Sequence, residues 1–378
     1  MEMSKGANDL LPEIHIQSVQ TVTPTKVTDP RQVRQVSAVD PIGFGIFRKC
    51  LHILLYHAKA TEDGARWFHV GWLRESLARA LLEQPLIAGR FRQAFDRQNE
   101  EGNQLEIVSN DSGVRLFQTS IPITLSEFLD LKGSRDGEDA EAKLVFWKDI
   151  DEQNPQYSPL VYVQVTKFQC GGCSVGISCS ILLADILLKE NFLKKWAKIH
   201  NNLLSKDDLP AAPMYYIPDI MKSTGCSPTS IFSSNPSNKC GQTVIFTISA
   251  ETVNPLKDDA LQLCVEEAEN KYGNNMAPNF PMFLKTNYRN AIKVEKFPKD
   301  GLIKPKRLGS RSQLSRAVWD DFGANEIEFR EGNKPEYVSY WVGFVSGGLV
   351  MAMPSADRRG SLNEVKVVIV TVPIEKEV

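Results

Sequence analysis

The sequence predicts an α/β protein built from two halves, and three observations lead to this prediction. The chain has 378 residues, enough for two domains or for one large α/β unit. Segments with the alternating apolar pattern of strands are interspersed with segments of helical spacing. A stretch rich in Pro, Ser and Asn, 205–240, lacks both periods and is predicted to be a crossover linker between domains at 1–204 and 241–378.

Strands and helices alternate through the first part of the chain. The alternating segment 14–24 predicts a strand, whereas 47–60 is apolar and fits either a strand or a helix. Apolar residues at helical spacing predict a helix over 72–84. The segment 102–120 is expected to form a hairpin around "NDSG", and "LSEFL" is expected to form a short helix after it.

The middle of the chain predicts two apolar strands joined by a glycine turn over 159–180, and one long amphipathic helix over 182–204. After the linker, the segment 243–249 predicts a strand, and the segment up to 272 continues as a helix. Further strands are predicted within 281–294, 336–355 and 363–373.

Composition and charge exclude several classes of function. The formal net charge is −2 and 42% of the residues are hydrophobic, so no basic excess indicates a nucleic-acid or membrane-surface partner. No apolar run is long enough for a membrane span and no secretory signal is found, so a cytoplasmic protein is expected. The "CGGC" at 170–173 has metal half-site spacing but lacks a second ligand pair, which favours a simple turn. No resident metal or cofactor is predicted.

Five segments together resemble the plant BAHD acyltransferase family, and they occur in the family's order. They are "PLIAGRF", "NDSGVRL", "SPLVYVQVTKFQCGG", "TVIFTISAETVNPLKDDA" and "KPEYVSY…GGLVMAMPS". Within the family, "QVTKFQCGG" and "GNKPEYVSY" look most similar to the Eceriferum-type branch. The resemblance implies a monomer with two α/β domains, of the chloramphenicol acetyltransferase-like type, around a central tunnel. Coenzyme A would enter from one face and the acceptor from the other.

The family's general base is the histidine of an HxxxD motif, and this sequence departs from that motif. The resemblance places Ile181 at the histidine position and Asp185 at the aspartate position. An isoleucine has no lone pair and cannot accept a proton from an acceptor hydroxyl. Asp185 is expected to form a structural pair with Arg289, whereas Cys179, Ser180 and Ile181 are the candidates for substrate binding in the tunnel.

Two further departures concern the second half. The resemblance places the family's DFGWG motif just before Lys334-Pro335, where this sequence reads "FREGN" (329–333), so the motif is degraded. The segment "DDFGAN" (320–325) lies too far from Lys334-Pro335 to be the same loop and is predicted to be a turn with solvated aspartates. The stretch between "ENKYGNN" and "VWDDFG" is shorter than the family's usual layout. Because the missing pieces normally form the floor of the coenzyme A channel, the second domain is expected to be shortened and to bind coenzyme A weakly.

Another side chain would have to act as the base if acyl transfer persists. If 47–60 is a strand, its alternation puts His52 and Tyr56 on one face and His57 on the other. The corresponding strand of the family lines the tunnel, so His52 and Tyr56 are the candidate catalytic residues. The alternative is that His52 is a hydrogen-bonded core histidine. His200 is expected to be exposed, and His69 is expected to be structural near a helix start.

Three functions from different classes follow from the resemblance. The favoured hypothesis is a repurposed tunnel enzyme that has lost coenzyme A-dependent transfer and catalyses an elimination, cyclisation or lactonisation of an aromatic or acyl metabolite. The second is a non-enzymatic accessory of the Eceriferum type in wax biosynthesis, with a fatty-acid elongation condensing enzyme as its partner and an association with the endoplasmic reticulum through that partner. The third is an acyltransferase with a relocated base.

Overall fold

The computed structural model describes nine ranges of the chain, and the statements below concern these residues. They are 12–59, 69–94, 104–132, 140–205, 241–250, 258–285, 290–298, 312–354 and 364–374. Residues 206–240 of the predicted linker (205–240) and Arg289 lie outside them.

Fifteen strands and five α-helices are described within these ranges. The strands are β1 (His15–Val22), β2 (Val33–Ala38), β3 (Cys50–His57), β4 (Arg90–Ala94), β5 (Gln104–Val108), β6 (Val114–Ile121), β7 (Val161–Phe168), β8 (Cys173–Ser180), β9 (Gly241–Ala250), β10 (Asn279–Lys285), β11 (Ile292–Pro298), β12 (Ser312–Ala317), β13 (Tyr337–Gly343), β14 (Leu349–Pro354) and β15 (Glu364–Pro373). The helices are α1 (Val70–Ala80), α2 (Leu125–Lys132), α3 (Ala184–Leu188), α4 (Phe192–Leu204) and α5 (Asp258–Tyr272). Within the described ranges, none of these helices has both the length and the apolar character that crossing a bilayer requires.

The strands form two sheets that exchange strands between the two halves of the chain. The six-stranded sheet has the order β1-β6-β7-β8-β3-β13, and the nine-stranded sheet has the order β12-β9-β15-β14-β10-β11-β2-β5-β4. Strand β13 from the second half therefore completes the first sheet, while β2, β4 and β5 extend the second. The mixed α/β fold class with two sheets is confirmed. The domain boundaries at 204 and 241 stay a prediction.

Strand β3 explains why its sequence did not discriminate between strand and helix. It lies between β8 and β13, and all eight of its residues are buried. Leu51, Ile53 and Leu55 belong to the main core, whereas Leu54 and Tyr56 belong to a separate cluster that includes residues of α2. The predicted alternation is therefore present, but a strand covered on both faces is apolar throughout and shows no polar period.

The predicted glycine turn between β7 and β8 is confirmed. The two strands pair antiparallel, and Gly171 has a φ of +87°, which glycine adopts without the strain of a side chain. Cys170 is exposed and its sulfur accepts hydrogen bonds from the backbone of Leu125 and Gly172, whereas Cys173 is buried. The "CGGC" segment is thus a turn between strands.

The predicted hairpin at 102–120 is wrong, because the "NDSG" turn sends the chain from one sheet to the other. Strand β5 pairs with β2 and β4 in the nine-stranded sheet, and β6 pairs with β1 and β7 in the six-stranded sheet. Asp111 has a φ of +58° and accepts hydrogen bonds from the amide and the hydroxyl of Thr28 at 2.9 and 2.6 Å. The turn chemistry was correctly recognised, but the partners of the strands are set by long-range packing.

The single helix predicted over 182–204 is also wrong. A turn of 3-10 helix at Ile181–Leu183 is followed by α3 and then by α4, with a break between them. Asn191 at the break has a φ of +54°, a left-handed conformation that asparagine tolerates better than most residues. The helical period continues on both sides of the break, so the apolar pattern alone could not reveal it.

Candidate functional site

The site that the resemblance indicates lies where β8 ends. The Ser180 hydroxyl accepts a hydrogen bond from the Leu182 amide at 3.4 Å, and the Ile181 amide donates to the carbonyl of Lys49 at 3.0 Å. The side chain of Ile181 packs in the main core, and this residue is 2% exposed. Cys179 and Ser180 are fully buried beside it. Hydrocarbon packing therefore surrounds the position at which the resemblance expects a base.

Asp185 is held by two cations of the nine-stranded sheet. Its carboxylate accepts hydrogen bonds from both terminal nitrogens of Arg34 at 2.6 and 3.0 Å, and its Oδ2 lies 3.0 Å from Nζ of Lys285. Arg34 also donates to the carbonyl of Leu182 at 2.7 Å and to Oδ1 of Asn290 at 2.9 Å. The expected pair of Asp185 with Arg289 falls on a residue outside the described ones and stays a prediction.

The charges of this network favour an ionised aspartate. Burial acts to raise the pKa of Asp185, but the neighbouring charges and hydrogen bonds of Arg34 and Lys285 lower it below its ordinary value of 3.8. Burial lowers the pKa of Lys285, and it lowers the pKa of nearby Lys189 to about 8. Because Arg34 lies on β2 and Lys285 on β10, the network joins α3 to the nine-stranded sheet.

Sequence reasoning did not find Arg34. In β2, Arg34 and Val36 are buried while the flanking Val33 and Ser37 are exposed, so the strand's period places a guanidinium on its inward face. An inward arginine in a strand requires an acidic or carbonyl partner. The alternation in "VRQVSA" was a usable signal, although it does not identify the partner.

His52 lies in a closed polar contact on β3. Its Nδ1 lies 2.8 Å from the Ser178 hydroxyl and its Nε2 lies 3.1 Å from the Cys50 sulfur. The ring stacks on Trp341 with centroids 4.8 Å apart, and burial lowers the pKa of His52 to about 3. These contacts match the alternative in which His52 is a core histidine with both ring nitrogens in use.

Tyr56, the second candidate catalytic residue, belongs to a buried cluster around Glu141. The Tyr56 hydroxyl donates to Oε1 of Glu141 at 2.9 Å, and the Ser339 hydroxyl donates to the same oxygen at 2.5 Å. Nζ of Lys132 lies 2.8 Å from that carboxylate oxygen. Burial, followed by the charge of Glu141, raises the pKa of Tyr56 well above its ordinary value. This cluster joins three segments that are distant in sequence, and no local pattern signals it.

Two further histidines have structural roles. His69 caps α1, since its Nδ1 accepts a hydrogen bond from the Gly71 amide at 3.2 Å, which agrees with the expected structural role. The expectation that His200 is exposed is wrong, because His200 is fully buried. Its Nδ1 lies 2.9 Å from the Ser76 hydroxyl, which also accepts a hydrogen bond from Trp196. The packing of α4 against α1 buries this otherwise polar helix end.

The two windows compared with the DFGWG motif have different roles. Phe329, the first residue of "FREGN", is fully buried and packs edge-on against Trp196 with centroids 4.7 Å apart. Asp320 and Asp321 are exposed on a 3-10 turn that ends at Gly323, whose φ is +71°. The predicted turn with solvated aspartates is therefore confirmed.

A large cavity lies elsewhere on the six-stranded sheet. Its volume is about 1020 Å³, and it is bounded by side chains of β1, β6 and β7 and by the segment 148–159. Its lining does not include Ile181, His52 or Tyr56. The structure thus separates this cavity from the residues that the resemblance singled out.

Comparisons with known proteins agree with the sequence motifs. Residues 13–210 match the model of the Transferase family. Over 159 residues, covering 42% of this chain and 34% of the relative, the chain is 29% identical to rosmarinate synthase of Plectranthus scutellarioides. Over 204 residues, covering 52% of this chain and 44% of the relative, it is 24% identical to Protein ECERIFERUM 2 of Arabidopsis thaliana.

These matches span less than half the length of the two curated relatives. Among solved structures, vinorine synthase matches with a TM-score of 0.45 and 14% identity over 94% of each chain. The family model covers more than half of this chain, and it includes the β7–β8 hairpin and the Ile181–Asp185 segment. The chain therefore belongs to the Transferase family of BAHD proteins, with a resemblance to its Eceriferum-type members.

Proposed function

We propose that this BAHD-fold protein acts by binding a partner and does not catalyse histidine-dependent acyl transfer. The observation that supports this proposal most directly is the packing of Ile181, which is 2% exposed within the main core. General-base catalysis needs a proton acceptor within hydrogen-bond reach of the acceptor hydroxyl. A buried isoleucine offers neither an acceptor nor space for a substrate.

The candidate replacement bases support the same proposal. Both ring nitrogens of His52 contact side-chain atoms of Ser178 and Cys50, and burial lowers the pKa of His52 to about 3. The Tyr56 hydroxyl donates to Glu141, and burial and that charge raise the pKa of Tyr56. An enzyme that used His52 or Tyr56 would need that group to contact a substrate, so these contacts favour the accessory over an acyltransferase with its base relocated to either residue.

The scaffold itself is retained. Asp185 has two cationic partners on the nine-stranded sheet. The aspartate of the family's motif therefore has a structural role here that does not depend on catalysis. The Eceriferum-type resemblance suggests the partner, a fatty-acid elongation condensing enzyme in wax biosynthesis. Such a role would place a cytoplasmic chain at the endoplasmic reticulum through its partner.

Co-expression with a fatty-acid elongation condensing enzyme in yeast tests this proposal. We expect the two proteins to co-purify, and we expect the fatty-acid products to become longer than those of the condensing enzyme alone. Chain lengths would be measured by gas chromatography. The proposal fails if the protein neither co-purifies with the condensing enzyme nor changes its products.

A matched variant distinguishes an accessory from an enzyme with a relocated base. Tyr56→Phe removes the hydroxyl that could act as an acid or base, while Ser339 and Lys132 remain to pair with Glu141. An accessory should keep its effect on chain length in this variant, whereas an enzyme that used Tyr56 should lose it. Ile181→Val, a conservative change at the position of the family's histidine, serves as the control.

Restoring the base should not restore acyl transfer. In Ile181→His, an imidazole would enter a packed apolar site, and an unsatisfied buried polar group costs about 1–3 kcal/mol of stability. We expect no transfer from hydroxycinnamoyl-coenzyme A to an alcohol in an assay that follows thiol release. Transfer by a folded Ile181→His protein would show that the site admits a substrate and that only the base is missing. Tight binding of an acyl-coenzyme A to the wild type in calorimetry would contradict the proposal.

A further inference from the structure

The cavity of about 1020 Å³ contains an aromatic wall. The rings of Phe117 and Phe146 stack with centroids 4.1 Å apart, and the ring of Tyr162 lies 5.1 Å from that of Phe146. Trp147 packs edge-on behind Tyr162 at 5.7 Å. Because Phe117 and Tyr162 are 3% and 4% exposed, these rings are fixed by packing and form a rigid surface. Such a surface suits a planar ring.

One polar group of this wall lacks a partner. Tyr162 lines the cavity, and its hydroxyl makes no hydrogen bond to any described residue. The ring of Tyr162 is buried, but its hydroxyl is not one of the fully buried polar atoms that lack a partner, so a ligand or solvent in the cavity can supply the acceptor. Burial raises the pKa of Tyr162 to about 12, so the hydroxyl keeps its proton and can donate.

Positive charge lies beside this phenol, because Arg115 on β6 is the pairing partner of Tyr162 on β7. Arg115 lines the cavity and donates to the Thr21 hydroxyl, and Arg90 donates to the carbonyls of Gly89 and Gly113 at 2.8 Å. Among the described residues, neither arginine forms an ion pair with a carboxylate. Both guanidinium charges lower the pKa of Tyr162, whereas burial and the carboxylate of Asp149 raise it.

The acidic residues of the cavity already have partners. Glu152 lies 3.6 Å from Arg48, and Asp149 accepts a hydrogen bond from the indole of Trp147 at 3.1 Å. The Asp151 carboxylate accepts from the backbone amides of Gln153 and Asn154 at 2.9 and 3.2 Å. These carboxylates keep their charge, and the donors of the lining that remain for a ligand are the Tyr162 phenol, the Arg115 guanidinium and the Lys148 ammonium.

From this arrangement we propose that the cavity is a binding site for an aromatic carboxylate, separate from the Ile181–Asp185 segment. The ring lies against Phe146 and Phe117, and the carboxylate accepts hydrogen bonds from Arg115 and from the Tyr162 hydroxyl. The site does not depend on the proposed accessory function, because it uses no residue of the Asp185 network and no partner protein.

Calorimetric titration of the full chain with naphthoate and with its neutral analogue naphthamide tests the site. The two probes share a ring system and differ in charge, so a site built as proposed should bind naphthoate about tenfold or more tightly than naphthamide. No acyl-coenzyme A or condensing enzyme is present. Failure of this experiment would therefore leave the accessory proposal untouched, and failure of that proposal would leave this site untouched.

Three variants assign the contacts. Arg115→Gln should weaken naphthoate binding about tenfold and leave naphthamide binding unchanged, and Tyr162→Phe should weaken it severalfold. Arg316→Gln is the matched control and should bind like the wild type, because Arg316 is an exposed arginine of β12 that pairs with Glu267 of α5. Thermal unfolding of each variant verifies folding. Equal affinity for the two probes, unchanged binding by folded Arg115→Gln, or no binding of naphthoate to the wild type would each overturn the proposal.

Discussion

Replacing Arg34 with alanine should lower the free energy of unfolding by about 3–5 kcal/mol, because it breaks a buried ion pair from one side. Arg34 is fully buried and donates twice to Asp185, and it also satisfies the carbonyl of Leu182. Its loss would leave Lys285 as the only described cation in contact with Asp185. Urea unfolding followed by tryptophan fluorescence would measure the change.

An exposed arginine pair gives the matched control. Arg92 on β4 lies 2.6 Å from Glu106, but its side chain is 56% exposed, and such pairs contribute about 0–1 kcal/mol. Arg92→Ala should therefore unfold close to the wild type. If Arg34→Ala is no less stable than Arg92→Ala, then Asp185 does not need its arginine, and the network is not the main connection between α3 and the nine-stranded sheet.

Stability should fall as the pH falls from about 6.5 towards 3, because His52 resists protonation in the folded state. Burial lowers the pKa of His52 from 6.5 to about 3, so within this window the unfolded chain binds a proton that the folded chain does not. Each pH unit inside the window should then remove about 1.4 kcal/mol of stability per such histidine. His57, whose pKa burial lowers to about 4, acts in the same direction.

A His52→Gln variant isolates this contribution. Glutamine can still hydrogen-bond to Ser178 and does not titrate, so the unfolding free energy of the variant should depend less steeply on pH between about 6.5 and 3. Equal slopes for the two proteins would mean that His52 is protonated normally in the fold, and the description of a closed, neutral histidine would be wrong. Measurements near neutral pH report the packing loss separately.

Local patterns predicted the individual elements well. The alternation in β3 correctly placed His52 and Tyr56 on one face, since His52 stacks on Trp341 of the Tyr56 cluster whereas His57 packs against Phe329 of the main core. The glycine turn correctly paired β7 with β8. Where the prediction was wrong, the deciding contact was distant in sequence. The "NDSG" turn has suitable residues for a hairpin, but Thr28 binds Asp111 and the two strands join different sheets. Turn chemistry fixes a bend and not the partners of the strands that leave it.

The candidate site was predictable to a smaller extent. The sequence alone reveals that Ile181 cannot accept a proton, and the resemblance located Asp185 on α3. Its partner Arg34 lies 151 positions away, on β2 of the nine-stranded sheet. The Glu141 cluster joins β3, β13 and the segment after α2, so its members have no shared motif. Polar groups that meet across sheets leave only a weak signal, an inward charge in a strand.

The exchange of strands between the two sheets has a consequence for how the molecule could be divided. A fragment that ended at residue 205 would lack β13, and the backbone hydrogen-bonding groups along one side of β3 would be left open to other chains. The complementary fragment would lack β2, and β11 would have an open edge in the same way. Because each half of the chain needs strands of the other half to complete its sheet, we expect the two halves to unfold in one cooperative transition and neither half to fold alone.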